Sequence, residues 1–313
     1  MDIEVIIQQL LDENVELDVK VKLVTKLNAK IEDADVLFEL ATCFRAKSLK
    51  IHNPYYDTID IVGTGGDGAS TLNYSTLSAL VAHKYGLPVA KHGNRATTSK
   101  CGSFDFLERL NIEIPTTPEE ANKLLDTKRL VFLFAPYFYP IFKPVVEVRK
   151  VFAAKGEKTI FNVLGPLLIP EGVKRVVIGV YDMALLEPMA EVLLRLGVEY
   201  GYVVYGAGLD EFSVCGVSSV IRIKEGVLSC HSLHPEQVGF TRSKVLALAA
   251  GDSYQNYKES KEILCGDLMG PKRDMLVLNA AAAIQVGKGF DQKLSFYVDE
   301  VNTLLDKGIC LEN

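Results

Sequence analysis

Strand-like and helix-like segments alternate from residue 57 onward, and no other feature of this chain constrains its fold so strongly. The strand-like runs are 58–62, 87–91, 130–135, 175–182 and 200–208, and helix-like segments at 73–86, 117–126 and 184–197 lie between them. Further strands are predicted outside the alternation at 217–230, and helices follow, notably at 274–287. Because such alternation is typical of βαβ units, we predict an α/β fold with a central, mainly parallel sheet flanked by helices.

The start of the chain has a different, purely helical pattern, with apolar side chains at three- and four-residue steps. An aromatic-rich segment at 137–156 is also mostly helical, and we expect it to pack against this start. We predict a small all-helical N-terminal domain at 1–54, joined by the 137–156 segment, and a larger α/β domain at 55–136 and 157–313. Since so short a helical unit cannot bury its apolar stripe alone, the rest of the chain or a second subunit must cover it.

Composition disfavours several classes of function. The formal net charge of −6 argues against nucleic-acid binding as the main function. The six cysteines form no C-x-x-C pair, so we expect reduced thiols in a cytoplasmic protein. The N-terminus lacks the pattern of a signal peptide, and no apolar stretch reaches the roughly 20 residues that span a bilayer. We therefore expect small-molecule partners, with neither nucleic acid nor membrane among them.

The segment GTGGDG follows the first predicted strand and has the G-x-G-x-x-G spacing of a dinucleotide-binding loop, at Gly63, Gly65 and Gly68. A dinucleotide site also requires an Asp or Glu about 20 residues later, at the end of the second strand. Lys91 and His92 occupy that region instead, and cations suit phosphate or pyrophosphate. A P-loop is not indicated either, because no G-K-[ST] follows. These residues favour an anion site over a nicotinamide site.

Two loops of small polar residues follow neighbouring predicted strands. In the first loop, glycines let backbone N–H groups approach an anion, and the helix that begins near Asn73 adds its N-terminal dipole. The second loop, KHGNRATTSKCGS at 91–103, repeats this character one βα unit later. Because loops at the carboxyl ends of adjacent parallel strands enclose a crevice, we predict a phosphate-binding site there.

Five segments of the chain together resemble the anthranilate phosphoribosyltransferase family: GTGGDGASTLNYST, VAKHGNRATTSKCGSFDFLE, VRKVFAAKGEKTIFNVLGPL, GLDEFSV and LNAAAAIQVG. The resemblance covers about residues 55–290. It implies transfer of the phosphoribosyl group from phosphoribosyl pyrophosphate (PRPP) to the amine of anthranilate, the second step of tryptophan biosynthesis from chorismate. It also implies Mg²⁺, which neutralises the departing pyrophosphate, and a homodimer formed through the helical domain.

The resemblance further implies roles for individual residues. The implied PRPP contacts are Gly63, Gly66, Asp67, Thr71, Asn73, Ser75, Thr76, Lys91, Asn94, Thr98, Ser99 and Ser103. The implied anthranilate contacts are Gly63, His92, Asn94, Tyr139 and Arg149. The implied magnesium ligands are Ser75, Asp210 and Glu211. Arg149 suits this role because a guanidinium pairs bidentately with a carboxylate, and no covalent nucleophile is expected.

Several positions depart from the family pattern, including the segment VFAAKGEKT and the residues Phe104, Tyr139, Ile169 and Tyr205. Tyr139 and Tyr205 stand where the family usually has a His. None of them is an implied PRPP contact or metal ligand, so the departures concern the acceptor. A related phosphoribosyltransferase with a different aromatic or nitrogenous acceptor is therefore a second hypothesis. A non-catalytic relative that binds nucleic acid is a third, disfavoured by the acidic charge and by the intact carboxylates. A nicotinamide oxidoreductase is the fourth, disfavoured by Lys91.

Overall fold

The structure is a computed structural model that describes residues 2–94 and 103–309. Its elements are, in chain order, α1 (Ile3–Leu11), α2 (Leu17–Asn28), α3 (Ala34–Ala46), β1 (Ile59–Gly63), α4 (Tyr74–Lys84), β2 (Val89–Gly93), α5 (Ser103–Arg109), α6 (Pro118–Lys128), β3 (Leu130–Phe134), α7 (Ala135–Phe138), α8 (Val146–Ala153), α9 (Ile160–Leu167), β4 (Arg175–Gly179), α10 (Leu186–Arg195), β5 (Tyr200–Gly206), β6 (Ser218–Lys224), β7 (Val227–Leu233), α11 (Ser253–Leu264), α12 (Pro271–Gly287) and α13 (Leu294–Asp306). Short 3₁₀ helices lie at Pro140–Val145, Met183–Leu185, Pro235–Val238 and Val245–Leu248.

The seven strands form one sheet in the order β3-β2-β1-β4-β5-β6-β7. Strands β1 to β5 are mutually parallel, and β6 and β7 add an antiparallel hairpin at one edge. The predicted α/β fold with a mainly parallel sheet is therefore confirmed, as are the strands predicted outside the alternation. Because β1 pairs with both β2 and β4, the strand order reverses there, and ligands of open α/β sheets bind at such a reversal.

Local sequence explains where several elements begin and end. Gly86 follows α4 with φ of 109°, a conformation that L side chains rarely adopt, so it stops the helix as predicted. Helix α6 begins after Thr117, whose hydroxyl accepts the Glu120 N–H at 3.3 Å. The Glu120 carboxylate bonds to the N–H of Thr116 at 2.8 Å, one residue earlier than in a reciprocal capping box.

Helices cover both faces of the sheet and give two apolar cores. One core joins the N-terminal helices to α6, α8, α9 and α10, and the other contains α4, α5, α12 and α13. Successive residues of β2 alternate between them, so Ala90 belongs to the first core and Val89 to the second. Helix α12 is buried at every residue from Met275 to Gly287 and forms the centre of the second core.

The apolar stripe of the N-terminal helices is covered by the rest of the same chain. Lys20 Nζ donates to the Pro144 carbonyl at 3.3 Å, and the Leu49 N–H donates to Phe138 O at 2.8 Å. The Asn28 side chain accepts the Ile160 N–H at 2.8 Å. These contacts agree with the expected packing of the 137–156 segment, while the division into two domains stays a prediction. No helix within residues 2–94 and 103–309 is both long and apolar enough to cross a membrane.

Candidate active site

The floor of the candidate site consists of three glycines at the carboxyl ends of neighbouring strands. Gly63 ends β1, Gly179 ends β4 and Gly206 ends β5, and Gly63 pairs directly with Gly179. A Cβ at Gly63 would lie 2.3 Å from Asp210 Oδ2, and one at Gly179 would lie 1.5 Å from the Asp210 carbonyl oxygen. A Cβ at Gly206 would lie 1.9 Å from the Glu211 carbonyl oxygen. The loop that carries both acids therefore rests directly on the sheet where the strand order reverses.

Two carboxylates meet above this floor. Asp210 Oδ2 accepts the Gly65 N–H at 2.6 Å, and Asp67 Oδ1 accepts the Ala69 N–H at 2.9 Å. The Asp67 and Asp210 side chains also lie in hydrogen-bonding contact with each other. Burial, followed by repulsion from Asp67, raises the pKa of Asp210 to about 7, and burial raises the pKa of Asp67. Burial and mutual repulsion destabilise the ionised form of this pair, and a bound cation would offset the repulsion.

Glu211 adds a third carboxylate. Burial, with repulsion from Asp210 and Asp67, raises the pKa of Glu211 well above its usual value. The backbone N–H of Ser75 faces this side chain, but Glu211 Oε2 is buried and has no hydrogen-bond partner in the described part of the chain. Since hard oxygen ligands suit Mg²⁺, the unpaired oxygen fits a magnesium site. Across residues 2–94 and 103–309, no three His, Cys, Asp or Glu side chains form a complete metal site on their own.

The first loop and the start of α4 close the other side of the crevice. Gly65, Gly66 and Gly68 have φ values of 64°, 79° and 76°, which turns the chain sharply after β1. Asn73 is the N-cap of α4, as the sequence predicts, and Ser75 lies partly exposed in its first turn. At one end of the sheet, these positions bring together six of the implied PRPP contacts, Gly63, Gly66, Asp67, Thr71, Asn73 and Ser75.

Thr76 and Lys91 are more deeply buried than a direct contact with PRPP would suggest. The Thr76 side chain is fully buried in the second core, and its hydroxyl has no partner among the described residues. Lys91 is 2% exposed, and its Nζ donates to the Ile61 carbonyl. Burial lowers the pKa of Lys91 to about 8, while nearby Asp60 and the two acids on the loop oppose this shift. Lys91 thus places its charge beneath the acidic cluster, and a direct PRPP contact for either residue stays a prediction.

The second loop is described only at its two ends. Asn94 is exposed after β2, and Ser103 begins α5 beside Gly93, where an added Cβ would lie 3.9 Å from Ser103 Cβ. Thr98 and Ser99 lie outside the described residues, so their predicted contacts are not tested. Phe104 turns away into the second core, 1% exposed, with its ring centroid 4.7 Å from that of Phe134.

His92 is held by two acceptors on the opposite face of β2. Its Nδ1 lies 2.5 Å from Asp60 Oδ2, and its Nε2 lies 2.9 Å from the Gly165 carbonyl oxygen. Because a carbonyl only accepts, Nε2 carries a proton, and Nδ1 shares another with the fully buried Asp60. Neither ring nitrogen offers a free lone pair, so this geometry does not suit His92 as a general base.

Tyr139 and Arg149 differ in whether the described part of the protein provides a partner for their polar groups. Tyr139 is buried beside His92, with ring centroids 5.9 Å apart, and its hydroxyl donates to the Leu168 carbonyl at 2.6 Å. Arg149 is partly buried, its guanidinium lies 5.6 Å from the Phe142 ring centroid, and burial lowers its pKa. No carboxylate of the described residues pairs with Arg149. A desolvated guanidinium without an internal partner suits the carboxylate of a ligand.

Several residues that build this site were missed in the sequence. Gly179 and Gly206 end strands as Gly63 does, and this repeated strand-end glycine is a signal that sequence inspection could have used. Lys158 was missed as well. Its Cε would lie 3.0 Å from a Cβ at Gly66, and its Nζ lies 3.5 Å from the Tyr181 ring centroid. No local pattern points to Lys158, because the loop that carries it is far from Gly66 in sequence.

Comparison with known proteins gives consistent results. Residues 55–311 match the family model described as "Glycosyl transferase family, a/b domain". The anthranilate phosphoribosyltransferase of Ruminiclostridium cellulolyticum is 43% identical over 261 residues, which are 83% of this chain and 75% of that protein. The corresponding protein of a Thermoanaerobacter species is 42% identical over 287 residues, 91% of this chain and 83% of its own length.

Solved structures agree over nearly the whole chain. The crystal structure of the Thermus thermophilus anthranilate phosphoribosyltransferase has a TM-score of 0.88 at 35% identity, covering 98% of this chain and 90% of that one. The Saccharomyces cerevisiae enzyme in complex with PRPP and Mg has a TM-score of 0.82 at 28% identity, covering 97% of this chain and 86% of that one. With this identity and coverage, the chain belongs to the anthranilate phosphoribosyltransferase family.

Proposed function

We propose that this protein transfers the phosphoribosyl group of PRPP to the amine of anthranilate, as in tryptophan biosynthesis. The products are N-(5-phosphoribosyl)anthranilate and pyrophosphate. The observation that carries the proposal is the crowded acidic cluster of Asp67, Asp210 and Glu211, seated on strand-end glycines beside a glycine-rich loop. A cation would stabilise the ionised form of such a cluster, and a magnesium-bound pyrophosphate supplies both the cation and the anion that this loop suits.

Asp210 and Glu211, with Ser75 beside them, are the residues that would hold magnesium in this proposal. When bound, the metal neutralises the charge that develops on the departing pyrophosphate. Magnesium usually binds to one or two protein carboxylates and completes its coordination with substrate phosphates and water, so two acids suffice here. Asp67 lies in contact with Asp210 and is placed to accept a hydrogen bond from a ribose hydroxyl or a metal-bound water.

In this proposal, the residues of the first loop bind and orient PRPP. An anion bound here would accept hydrogen bonds from backbone N–H groups around Gly66 and in the first turn of α4. The positive end of the α4 dipole would attract the same anion. Lys158 lies beside the same loop and adds a positive charge. Because the bond to pyrophosphate breaks with charge building on the leaving group, fixed donors at this end stabilise the transition state more than the ground state.

The acceptor side is proposed to bind the anthranilate carboxylate through Arg149. The amine then attacks the anomeric carbon with inversion as the bond to pyrophosphate breaks, and it releases a proton to solvent. An aromatic amine attacks without prior deprotonation, so this scheme does not call on His92 as a base. His92 instead joins β1, through Asp60, to the Gly165 carbonyl of α9, which fixes the wall beside Tyr139.

A related transferase with a different acceptor is the second candidate function. The Tyr139 hydroxyl is committed to Leu168, so it offers no polar group to an acceptor where the family usually has a His. Phe104 and Ile169 are buried in the cores, and Tyr205 packs against the first core. This arrangement favours anthranilate as the acceptor. A less polar acceptor is the alternative that the experiment tests.

The proposal extends to a cytoplasmic homodimer. The cysteines in the described part of the chain, Cys43, Cys215, Cys230 and Cys265, are free thiols, which suits a reducing compartment. The apolar stripe of the N-terminal helices is already covered by the chain itself, so the dimer is supported instead by exposed apolar residues on these helices, such as Val5 and Leu17.

Turnover with PRPP and Mg²⁺ across a panel of amine and nitrogen acceptors tests the proposal. Pyrophosphate release should depend on both Mg²⁺ and anthranilate. Release with another acceptor alone would support the second candidate. No release with any acceptor, together with tight binding of DNA or RNA, would instead support a non-catalytic nucleic-acid-binding relative.

A further inference from the structure

Asn279 lies in the buried part of helix α12, far in sequence from the acidic loop, yet its side chain binds that loop directly. Its Oδ1 accepts the Phe212 N–H at 2.9 Å, and its Nδ2 donates to the Phe212 carbonyl at 2.8 Å. The second Nδ2 proton bonds to the Met275 carbonyl at 2.9 Å. Because the amide oxygen faces a donor and the amide nitrogen faces two acceptors, only one orientation of the side chain satisfies all three bonds.

Phe212 directly follows Glu211, so the amide of Asn279 fixes both peptide groups on the carboxyl side of the acidic pair. The glycine floor already limits Asp210 and Glu211 from below, where any Cβ would collide with their backbone. The Phe212 ring is 1% exposed and packs against Tyr202, with ring centroids 5.3 Å apart. The backbone of this loop is therefore held at two points, with the two carboxylates between them.

The same helix also supports the other side of the crevice. Helix α12 packs along α4, whose first turn carries Ser75, and the Ser75 N–H faces the Glu211 carboxylate. Through α12, Asn279 therefore sets where Glu211 lies relative to Ser75. None of the roles described above uses Asn279.

We propose that Asn279 is a positioning residue that holds Asp210 and Glu211 in register with Ser75, so that metal and pyrophosphate are bound together. This inference rests on the proposed function, because it concerns how donor and metal assist each other's binding. Groups that orient metal ligands typically change metal affinity by about 10- to 100-fold when they are removed. The loss should appear in the coupling between Mg²⁺ and PRPP rather than in PRPP binding alone.

The test compares two neutral replacements of buried amides on the same helix. Asn279→Leu removes the bonds to Phe212 without adding a charge beside the acids. Gln285→Met is the matched control, because the Gln285 amide is equally buried and bonds to the Tyr202 hydroxyl and the Gln292 carbonyl, each at 2.8 Å. For each full-length protein, isothermal titration gives the Kd of PRPP with EDTA and with saturating Mg²⁺, and the ratio of the two measures the coupling.

We expect the ratio to fall by about tenfold or more in Asn279→Leu and by less than about twofold in Gln285→Met. The Kd in EDTA should change by less than about threefold in both. An unchanged ratio in Asn279→Leu would overturn the positioning role while leaving the proposed function intact. If the wild-type ratio were one, the proposed function itself would fail. Should Asn279→Leu not fold, hydrogen exchange on the wild type decides, since rapid exchange of the Phe212 amide in the folded protein contradicts the bond to Asn279.

Discussion

At the scale of single residues, Asp210 lies where its charge is poorly solvated and faces another carboxylate. The Asp67 side chain contacts it, and the Gly65 N–H donates to its Oδ2 at 2.6 Å. These surroundings favour the protonated acid, which explains the pKa near 7. Ionisation of Asp210 in these surroundings lowers the stability of the folded protein, and this loss is measurable without added metal.

Asp210→Asn should therefore stabilise the metal-free protein at high pH relative to low pH. The folded state binds the Asp210 proton more tightly than the unfolded state, whose pKa is near 3.8, so wild-type stability is lost as the pH rises from about 4 to 7. An amide does not titrate and escapes this loss. Urea unfolding in EDTA at pH 5 and pH 8 should show the variant gaining on the order of 2 kcal/mol relative to wild type, after allowance for partial exposure. A difference that is constant with pH would contradict the buried, crowded state of Asp210.

Arg149→Gln should weaken anthranilate binding selectively. The guanidinium is desolvated and lacks a carboxylate partner in the described residues, so a ligand carboxylate would gain a charged, bidentate pair. Hydrogen bonds to charged groups contribute about 1.5–3 kcal/mol, which corresponds to a rise in the KM for anthranilate of roughly 10- to 100-fold. The KM for PRPP should change little in steady-state kinetics.

Lys150→Gln is the matched control for Arg149, because Lys150 is the next residue along α8 and forms an exposed ion pair with Glu147 at 2.7 Å. This change should leave both KM values within about twofold, since exposed pairs contribute little. Equal effects of the two substitutions would remove Arg149 from the acceptor site.

Local sequence is enough to bring together the residues proposed to bind PRPP, whereas it does not reveal the contacts around His92. Asp67, Asn73 and Ser75 lie on one continuous strand–loop–helix segment, so local spacing is enough to bring them together. The bond between Asp60 and His92 crosses two strands, and the Gly165 carbonyl comes from a helix 73 residues further along the chain. Contacts of this kind depend on strand order, which no local pattern specifies.

At the scale of elements, the strand ends decide how closely the acidic loop can approach the sheet. Gly179→Ala should disturb it most, because the new Cβ would lie 1.5 Å from the Asp210 backbone oxygen and a backbone atom cannot rotate away. We expect a loss in unfolding free energy of about 1–3 kcal/mol and at least about a tenfold fall in metal-dependent turnover. Urea unfolding and pyrophosphate release measure the two effects.

Gly165→Ala provides the contrast, since Gly165 lies inside α9 and a Cβ there would meet no atom within 4 Å. Alanine is favoured over glycine in a helix, but Pro166 follows directly and disfavours helical backbone in a preceding residue that has a Cβ, so the unfolding free energy should change by less than about 1 kcal/mol. If both glycines responded alike, close contact with Asp210 would not be the cause of the Gly179 effect.

The order of elements along the chain was predictable, whereas their arrangement in the sheet was not. Apolar runs and helical spacing predicted β1 to β5 because each element has a strong local period. The position of β1 between β2 and β4 follows from pairing between strands more than 100 residues apart in sequence. The sequence therefore predicted a crevice between two loops. It did not predict the reversal of strand order that forms this crevice.

At the scale of the whole molecule, the helical start of the chain and the α/β part share one apolar core. The residues of α1 to α3 belong to the same buried cluster as those of α9 and α10. Asp35 of α3 also pairs with Arg195 of α10 at 2.8 Å, and the Arg195 guanidinium lies 4.0 Å from the Phe38 ring centroid. The N-terminal helices thus have their stripe covered without a partner, so a subunit contact through these helices would use their outer surface.

The outer surface of these helices carries the last prediction. Large apolar side chains remain exposed there, with Val5 on α1 46% exposed and Leu17 on α2 42% exposed. If the protein dimerises through its helical domain, these side chains are buried by the partner, and a buried unpaired carboxylate would oppose association. The double change Val5→Glu and Leu17→Glu should then convert a wild-type dimer to a monomer in size-exclusion chromatography with light scattering. Its unfolding free energy, measured at a concentration where both proteins are monomeric, should stay within about 0.5 kcal/mol of wild type.

Leu246→Glu, at a position 83% exposed in the α/β part, is the control that should leave the dimer mass unchanged. A wild type that is monomeric at every concentration, or a double variant that keeps the dimer mass, would place the subunit contact elsewhere or remove it.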